Sequence, residues 1–294
     1  MKNLDVLVMA SSRPQLLPYT IESFEKFVAS VCNLNIRYLL HEDCVFPDFS
    51  EKVMHWAKNS KKFNVIERHK PKIGLGPAMD FMFKERIKSE YMFYLQDDWE
   101  FERTGIDLDR ILWTMDRHKN INLILFNKYK NMGSYAKFPS ELHVFDGLKL
   151  KLYNGWSFIP GVWRMSKAMQ HWKTRKERPE CFFTSQFGKP QDRTNPKWVK
   201  DNMGIYFYGG DGEPRFVRHL GNSFRVADWQ LEGGRPGGSL NYECREVETG
   251  GYYRAPWLPE IEARPTYIGS GEWGNDVSPK TIEKLKKVGI GKVK

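Results

Sequence analysis

The stretch YMFYLQDDWE at residues 91–100 decides the fold, because a short apolar and aromatic run stops abruptly at an acidic pair. The run at 91–95 is typical of a strand buried on both faces, as in a parallel sheet covered by helices. In open sheets of this kind, ligands bind beyond the carboxyl ends of the strands. We therefore expect Asp97 and Asp98 to lie where a ligand would bind.

Strand and helix patterns alternate on both sides of this stretch. The predicted strands lie at residues 4–9, 36–40, 63–66, 91–95 and 121–126. The predicted helices lie at residues 16–29, 49–58 and 107–118, with one more beginning at Pro77. This order predicts an α/β fold with a mostly parallel sheet flanked by helices. After about Lys128 the pattern becomes irregular and is dominated by Gly, Pro, Trp and basic residues.

The composition excludes several classes of protein. The chain has 294 residues, of which 40% are hydrophobic and 28% charged, as in ordinary globular proteins. No apolar run approaches the roughly 18 residues of a membrane span, and Asp5 interrupts the apolar N-terminus where a signal peptide would continue. We expect a cytoplasmic protein, or one in the host cytoplasm if it is viral. The absence of a CxxC pair argues against a zinc ribbon or a redox pair. As in most intracellular proteins, we expect free buried thiols at Cys32, Cys44, Cys181 and Cys244.

The net charge of +10 indicates either an anionic partner or a solvated surface that maintains solubility. The acidic pair poses a separate question, because adjacent buried carboxylates need a positive partner. A divalent cation such as Mn²⁺ or Mg²⁺ is one solution, since it prefers carboxylates, phosphates and water. Exposed turn residues are the alternative interpretation. Likewise His219, which follows a short strand pattern, is either a metal or phosphate contact or a structural hydrogen-bonding group.

Several segments resemble, in order, the GT-A glycosyltransferases, in particular their large family 2-like group. SSRP with IESF is similar to the opening T-x-R-P segment, KIGLGPAMD to the N-x-G-x-x-x-A-x-N loop and helix, and LQDDWE to the L-E-D-D-W form of the DxD motif. WSFIPGVWR resembles the segment after the acceptor pocket, and HLGNS the H-x-G motif. These segments begin at residues 11, 21, 72, 95, 156 and 219, and the resemblance spans about residues 4–225.

The resemblance implies metal-dependent transfer of a hexose or pentose from a nucleotide-diphosphate sugar to a hydroxyl acceptor, with inversion. Asp98 and His219 would hold Mn²⁺ or Mg²⁺. The donor would contact Ser11, Arg13, Glu42, Asp43, Lys72, Gly74, Asp80, Asp97 and Arg225. Gln96 stands where the DxD motif is acidic, which leaves Asp97 to act through the ribose or a water, and Lys72 stands where Asn is usual.

The catalytic base and the acceptor side would follow the DxD motif. Glu180 is the first candidate base and Asp192 the second, each with a plain surface carboxylate as the alternative. Trp156 is the candidate for stacking on the acceptor. Basic clusters at 164–178 and 284–294 favour an anionic acceptor. The ending LKKVGIGK resembles half of a helix-hairpin-helix motif, so a hydroxymethylated DNA base stands beside a cell-envelope glycan as acceptor.

The resemblance also implies a domain layout. We expect a GT-A catalytic domain at residues 1–232, with a donor-binding half at 1–128 and an acceptor-side half at 129–232. An irregular, aromatic- and basic-rich C-terminal extension at 233–294 would pack on it and end in a basic tail. The rival functions are a sugar nucleotidyltransferase, which needs a glycine-rich loop that ASSRP lacks, and a non-catalytic glycan- or nucleic-acid-binding protein on the same fold.

Overall fold

The structure, a computed structural model, describes residues 1–14, 16–44, 47–126, 141–153, 157–172, 203–209 and 215–219. The chain divides into two compact units, Met1–Arg218 and His219–Lys294. All described residues except His219 belong to the first unit, and the fold below is the fold of that unit. The expected C-terminal extension lies outside the described residues, so the domain boundary at residue 232 stays a prediction.

Eleven strands and five α-helices build the described part of the chain. The strands are β1 Asn3–Ala10, β2 Asn35–Asp43, β3 Val65–His69, β4 Tyr91–Gln96, β5 Trp99–Phe101, β6 Leu123–Phe126, β7 Leu142–Phe145, β8 Leu148–Leu152, β9 Gly161–Arg164, β10 Ile205–Tyr208 and β11 Val217–His219. The helices are α1 Leu17–Phe27, α2 Pro47–Ser60, α3 Leu75–Phe81, α4 Leu108–Arg117 and α5 Met165–His171. A π-helical turn at Met82–Arg86 continues α3, and a 3₁₀ turn at Ala29–Val31 follows α1.

Nine strands form one sheet in the order β3-β2-β1-β4-β9-β6-β10-β8-β7. Strands β8 and β9 run antiparallel to both of their neighbours, and the other seven run in one direction. Helices α2 and α3 contact β2, α4 contacts β8 and α5 contacts β9. The predicted α/β fold with a mostly parallel sheet flanked by helices is confirmed.

The strand order reverses beside β1, which is where open α/β sheets have their ligand-binding crevice. The chain adds β2 and β3 on one side of β1 and then returns to place β4 on the other side. Where the order reverses in this way, the loops after the two central strands diverge and leave room for a ligand. The loop at 11–13 follows β1 and the acidic pair follows β4, so both reach this point.

Aromatic packing holds α1 against the strands that carry the acidic pair. Phe24 of α1 is fully buried and meets Phe93 of β4 edge-on, with ring centroids 4.8 Å apart. The same ring meets Phe101 of β5 at 5.4 Å. Buried aromatic pairs of this kind add about 0.5–1.5 kcal/mol each beyond the area they bury. The segment between β4 and β5 is therefore fixed from both ends.

The structure differs from the sequence-based prediction in three respects. Helix α3 begins at Leu75, so Pro77 is its third residue rather than its first. Strand β2 extends through Asp43 rather than ending near residue 40, because His41 and Asp43 pair with Glu67 and His69 of β3. Strands β7 to β10 complete the sheet, although the sequence after Lys128 predicts only irregular structure. Cys32 and Cys44 are free thiols, as expected, whereas the other two cysteines lie outside the described residues. Within the described ranges, every helix is too short or too polar to cross a bilayer.

Candidate active site at the ends of β1, β2 and β4

The acidic pair lies buried in the turn between β4 and β5. Asp97 is 0% exposed and Asp98 3% exposed. The backbone N–H of Asp97 donates to the carbonyl of Met9 at 3.0 Å, and the Thr20 hydroxyl donates to the carbonyl of Asp97 at 2.8 Å. Strand β1 and helix α1 therefore fix the backbone of the pair before any ligand is considered.

Arg13 supplies the positive charge that the buried pair requires. Its Nη2 lies 2.8 Å from Asp97 Oδ1, and its Nη1 lies 2.5 Å from Asp98 Oδ2. The backbone N–H of Ser11 donates to Asp97 Oδ2 at 3.0 Å. Because Arg13 follows β1 and the acids follow β4, this ion pair closes the crevice at the point where the strand order reverses.

Glu42, at the end of β2, adds a third buried carboxyl to the group. It accepts hydrogen bonds from the backbone N–H of Ser12 and from the Ser12 hydroxyl, both at 3.0 Å. Burial and, after it, the nearby charge of Asp97 raise the pKa of Glu42 from 4.5 to about 7. Three acidic side chains thus meet around the ends of β1, β2 and β4, and Arg13 bonds directly to two of them.

Asp43, the next residue, organises the loop before α3. Its Oδ1 accepts the backbone N–H of Ile73 at 2.8 Å and its Oδ2 accepts that of Gly74 at 2.9 Å. Gly74 has φ 85° and ψ 161°, a conformation open to glycine alone. The pKa of Asp43 is raised, because the effect of burial exceeds the opposing effects of these two bonds and of the positive charge of Lys72. The predicted donor residues Asp43, Lys72 and Gly74 are therefore neighbours.

Asp80 has partners away from these loops. Its carboxylate accepts the indole N–H of Trp172 at 3.1 Å and forms an ion pair with Lys84 at 2.8 Å. Trp172 is buried against Phe83, so Asp80 ties α3 to the segment after α5. Its predicted contact with the donor stays a prediction.

A pair of histidines, the buried His41 and the half-buried His69, lies beside the same loop. His41 is fully buried, and its Nε2 lies 2.8 Å from Nδ1 of His69. Burial and, after it, the charge of His69 lower the pKa of His41 to about 3, so the imidazole is neutral in the folded protein. His69 also accepts the backbone N–H of Cys44 through its carbonyl at 3.2 Å. The pair therefore links the end of β2 to the end of β3.

Sequence reasoning missed three residues that shape this site. Ser12 lies between two predicted donor residues, so its position in the SSRP motif was a usable signal. His41 directly precedes the Glu42–Asp43 pair, but a polar residue at a strand end has many roles. Thr20 has no such signal, because its contact with Asp97 joins residues 77 positions apart.

Ion pairs connect β5 to β11, the strand that ends at His219. Arg215 donates to Glu102 at 2.6 Å, and Arg218 pairs with Glu100. The backbone N–H of Glu102 donates to the carbonyl of Phe216 at 3.0 Å. His219 itself is half-buried, and its predicted role as a metal ligand stays a prediction.

The remaining predicted site residues lie outside the described residues: Trp156, Glu180, Asp192 and Arg225. Two members of the predicted basic acceptor cluster are described, Arg164 and the half-buried Lys167 of α5, and Arg164 does not lie on the surface. Arg164 is 5% exposed and donates to the Tyr91 hydroxyl at 2.9 Å and to the carbonyl of Ile121 at 3.1 Å. It is a core residue at the end of β9.

The residues at the crevice fit a hard divalent cation only in part. In the described part of the chain, no group of three or more His, Cys, Asp or Glu side chains is arranged to hold a metal ion. Mg²⁺ and Mn²⁺ sites, however, commonly take one or two carboxylates and fill the rest with substrate phosphates and water. Asp97 and Asp98 supply such carboxylates, and the excess of acidic over basic charge around them suits a cation.

Comparisons with known proteins return solved structures of similar fold. Staphylococcus aureus TarS 1–349 in complex with UDP is 12% identical, with a TM-score of 0.47 over 98% of this chain and 79% of that chain. The mannosyltransferase PcManGT from Pyrobaculum calidifontis, in complex with GDP-Man and Mn²⁺, is 9% identical, with a TM-score of 0.43 over 97% and 78%. GalNAc-T7 with UDP, GalNAc and Mn²⁺ is 10% identical, with a TM-score of 0.46 over 99% and 55%.

No protein-family model matches the chain, and no curated protein sequence matches it. The TM-scores of these three structures lie below 0.5, so the likeness assigns no activity to this chain. The chain's own strand order, with the crevice beside β1 and the acidic pair after β4, fits the GT-A fold that the motifs predict.

Proposed function

We propose that this protein is a metal-dependent glycosyltransferase that moves a sugar from a nucleotide-diphosphate sugar to a hydroxyl acceptor with inversion. One observation carries the proposal: Asp97 and Asp98 are buried together at the switch point of the sheet, where ligands of such folds bind. Burying an acidic pair is unfavourable unless positive charge offsets it. Arg13 brings one positive charge to the two carboxylates, and a divalent cation bound with the donor diphosphate would supply more.

The crevice residues would divide the donor between them. Glu42, Asp43 and Asp97 offer carboxyl oxygens to the hydroxyl and N–H groups of a nucleoside. Arg13 and Lys72 carry the positive charge that diphosphate oxygens attract, and Arg225 would add to it. The backbone around Ser11 and Gly74 lines the same loops. Asp80 would contact the donor from its position on α3.

Asp98 would be the main protein ligand of Mn²⁺ or Mg²⁺, with His219 completing the set. Bound there, the cation would offset the negative charge that develops on the departing diphosphate. This charge is the main obstacle to the reaction, and fixed positive groups beside it act most strongly when water is excluded. The 3% exposure of Asp98 meets that condition.

The acceptor hydroxyl must lose a proton as the sugar is transferred. We propose Glu180 as the base, with Asp192 as the second candidate, and Trp156 as the ring against which the acceptor stacks. The net charge of +10 supports an anionic acceptor. A cell-envelope glycan and a hydroxymethylated base in DNA are the two acceptors of that kind under test.

The test is release of nucleoside diphosphate from a set of nucleotide sugars, with and without Mn²⁺, on glycan and on DNA acceptors. Asp98→Asn keeps the shape of the side chain and should lower turnover by at least about 100-fold. Asp116→Asn is the matched control, because Asp116 lies on α4, away from the ends of β1, β2 and β4, and is likewise ion-paired, with Lys2. It should keep its activity.

Each rival function has its own outcome in this test. Full activity in Asp98→Asn would remove the metal assignment. Release of pyrophosphate would instead indicate a nucleotidyltransferase. Saturable binding of glycan or DNA without turnover of any donor would favour the non-catalytic binding protein. DNA binding that vanishes with modest added salt decides nothing, since any basic protein shows it.

A further inference from the structure

We propose that Arg13 is a positioning residue that occupies the cation's place at the acidic pair, so that a divalent cation binds only when the Arg13–Asp98 ion pair opens. This inference rests on the proposed metal-dependent function. It assigns to Arg13 a role in setting the affinity for the cation, beyond a contact with the donor.

The geometry makes the two positive groups exclude each other at Asp98. Nη1 of Arg13 lies 2.5 Å from Oδ2 of Asp98, which is within direct contact. The Asp98 side chain is 5% exposed and the Arg13 side chain 10% exposed, so the guanidinium covers the carboxylate that it binds. A cation cannot reach that oxygen while the guanidinium stays, because two like charges would then lie in contact in a buried site.

Arg13 can leave without disturbing the loop that carries it. Its backbone carbonyl accepts the N–H groups of Leu16 and Leu17 at 3.1 and 3.2 Å, at the start of α1. Those bonds hold the main chain, whereas the long side chain can rotate away from it. Once released, the guanidinium lies near the proposed diphosphate, where its two-nitrogen fork suits phosphate oxygens.

The two acids respond differently when Arg13 withdraws. Asp97 keeps the backbone N–H of Ser11 on its second oxygen, so it stays in place. Asp98 exchanges its contact with Nη1 for a contact with the cation. The exchange raises the positive charge beside Asp97 and Glu42 from one to two. Because the acidic side chains at this point outnumber the basic ones, the additional positive charge favours the exchange.

Binding of Mn²⁺ alone, in the absence of any nucleotide, tests the exclusion directly. Free Mn²⁺ is measured by electron paramagnetic resonance during titration of the full chain. Arg13→Gln removes the competing charge and should bind Mn²⁺ at least about tenfold more tightly than the wild type. Arg13→Lys keeps the charge but loses the fork, and its affinity should lie between the two.

A matched control separates this effect from a general loss of stability. Arg37 makes a similar two-nitrogen contact with the buried Asp5, at 2.8 and 2.7 Å, near the opposite end of β1. Arg37→Gln should lower the midpoint of thermal unfolding while its Mn²⁺ affinity stays within about twofold of the wild type. A parallel rise in affinity in this control would overturn the proposal.

The remaining outcomes distinguish a failure of the proposed Arg13 exclusion from a failure of the proposed metal site. If Arg13→Gln binds Mn²⁺ no more tightly than the wild type while Asp98→Asn abolishes binding, the exclusion is wrong and the metal site stands. If no variant binds Mn²⁺, with or without a nucleoside diphosphate, both fail. If Arg13→Gln does not fold, Arg13→Lys decides: tighter binding than the wild type supports the exclusion, and equal binding overturns it.

Discussion

Ser12 donates both its backbone N–H and its hydroxyl to the carboxyl of Glu42, a residue 30 positions further along the chain. To do so, Ser12 adopts φ +54°, which few residues other than glycine occupy. The two bonds join the loop after β1 to the end of β2. They hold Glu42 in a place where burial and Asp97 oppose its ionisation.

The wild type should become less stable as the pH rises from acid to neutral, and Glu42→Gln should remove this dependence on pH. The folded protein keeps the Glu42 proton up to about pH 7, whereas the unfolded chain releases it near 4.5. The folded state therefore binds more protons within that window, and rising pH favours unfolding by up to roughly 3 kcal/mol across it. Denaturant unfolding of the variant and the wild type at pH 4.5 to 8 measures the difference.

The control for this prediction is Glu51→Gln, because Glu51 is exposed on α2. Its stability profile should run parallel to that of the wild type above pH 5. If the Glu42 variant also runs parallel to the wild type, then Glu42 ionises normally in the folded protein.

His41→Gln should make the protein more resistant to acid. The unfolded chain protonates this imidazole near pH 6.5, but the folded protein resists protonation until about pH 3. Between these values the unfolded state binds more protons, so falling pH destabilises the wild type by about 1.4 kcal/mol per unit. The variant loses this slope, although it also loses part of the bond to His69.

Unfolding free energies of the two proteins from pH 3.5 to 7 give that slope as their difference. His55→Gln, on the exposed side of α2, is the matched control and should leave the slope unchanged. An unaltered slope in His41→Gln would show that another group accounts for the acid sensitivity.

Thr20→Val should destabilise the turn that carries the acidic pair. The variant keeps the volume of the side chain but removes the buried hydroxyl that donates to the carbonyl of Asp97 at 2.8 Å. A lost buried hydrogen bond of this kind costs about 1–3 kcal/mol. Turnover should also fall, because the carboxylates shift with their backbone. Chemical denaturation and diphosphate release measure the two effects.

Ser30→Ala is the control, since Ser30 makes an analogous hydroxyl-to-carbonyl bond with Lys26 in an exposed position. Its stability should stay within about 0.5 kcal/mol of the wild type. If the two substitutions lowered the free energy of unfolding equally, burial of the Thr20 hydrogen bond would add nothing to stability.

Gly74→Ala should disturb the loop held by Asp43. At φ 85° and ψ 161° a Cβ strains the backbone by about 1–3 kcal/mol, and relief of the strain would break the bond from the Gly74 N–H to Asp43. Gly76→Ala, within α3, should avoid this backbone strain, because Gly76 does not have a positive φ. Thermal unfolding and the affinity for nucleoside diphosphate measure both. Equal behaviour of the two alanine variants would contradict the assigned role of Gly74.

The first half of the fold could be predicted from sequence because its strands are apolar and its helices are amphipathic. The run at 91–95 matches β4 almost residue for residue, and Asp107 caps α4 through the Arg110 N–H as its position suggests. Strands β8 and β9 escaped prediction for the opposite reason. LKLKL alternates apolar and basic residues, as a half-buried strand does, but it is only five residues long, and GVWR is four residues long with no clear alternation.

The site was predictable as a set of residues but not as a set of contacts. The motifs place Arg13, Glu42 and Asp97 at strand ends, and the strand order then brings them together. Sequence does not say that Arg13 pairs with both aspartates, because 84 residues separate it from Asp97. The sequence predicts that a cation balances the acidic pair, and in the fold the side chain of Arg13 contacts both carboxylates.

The place of β9 in the sheet has a consequence for synthesis on the ribosome. Strand β4, which ends at the acidic pair, is hydrogen-bonded on its far side to residues 161–164. A nascent chain that has emerged only as far as β6 leaves that side of β4 open, with its main-chain groups free to pair with another polypeptide. Some forty further residues must therefore leave the exit tunnel before this apolar strand is shielded from aggregation.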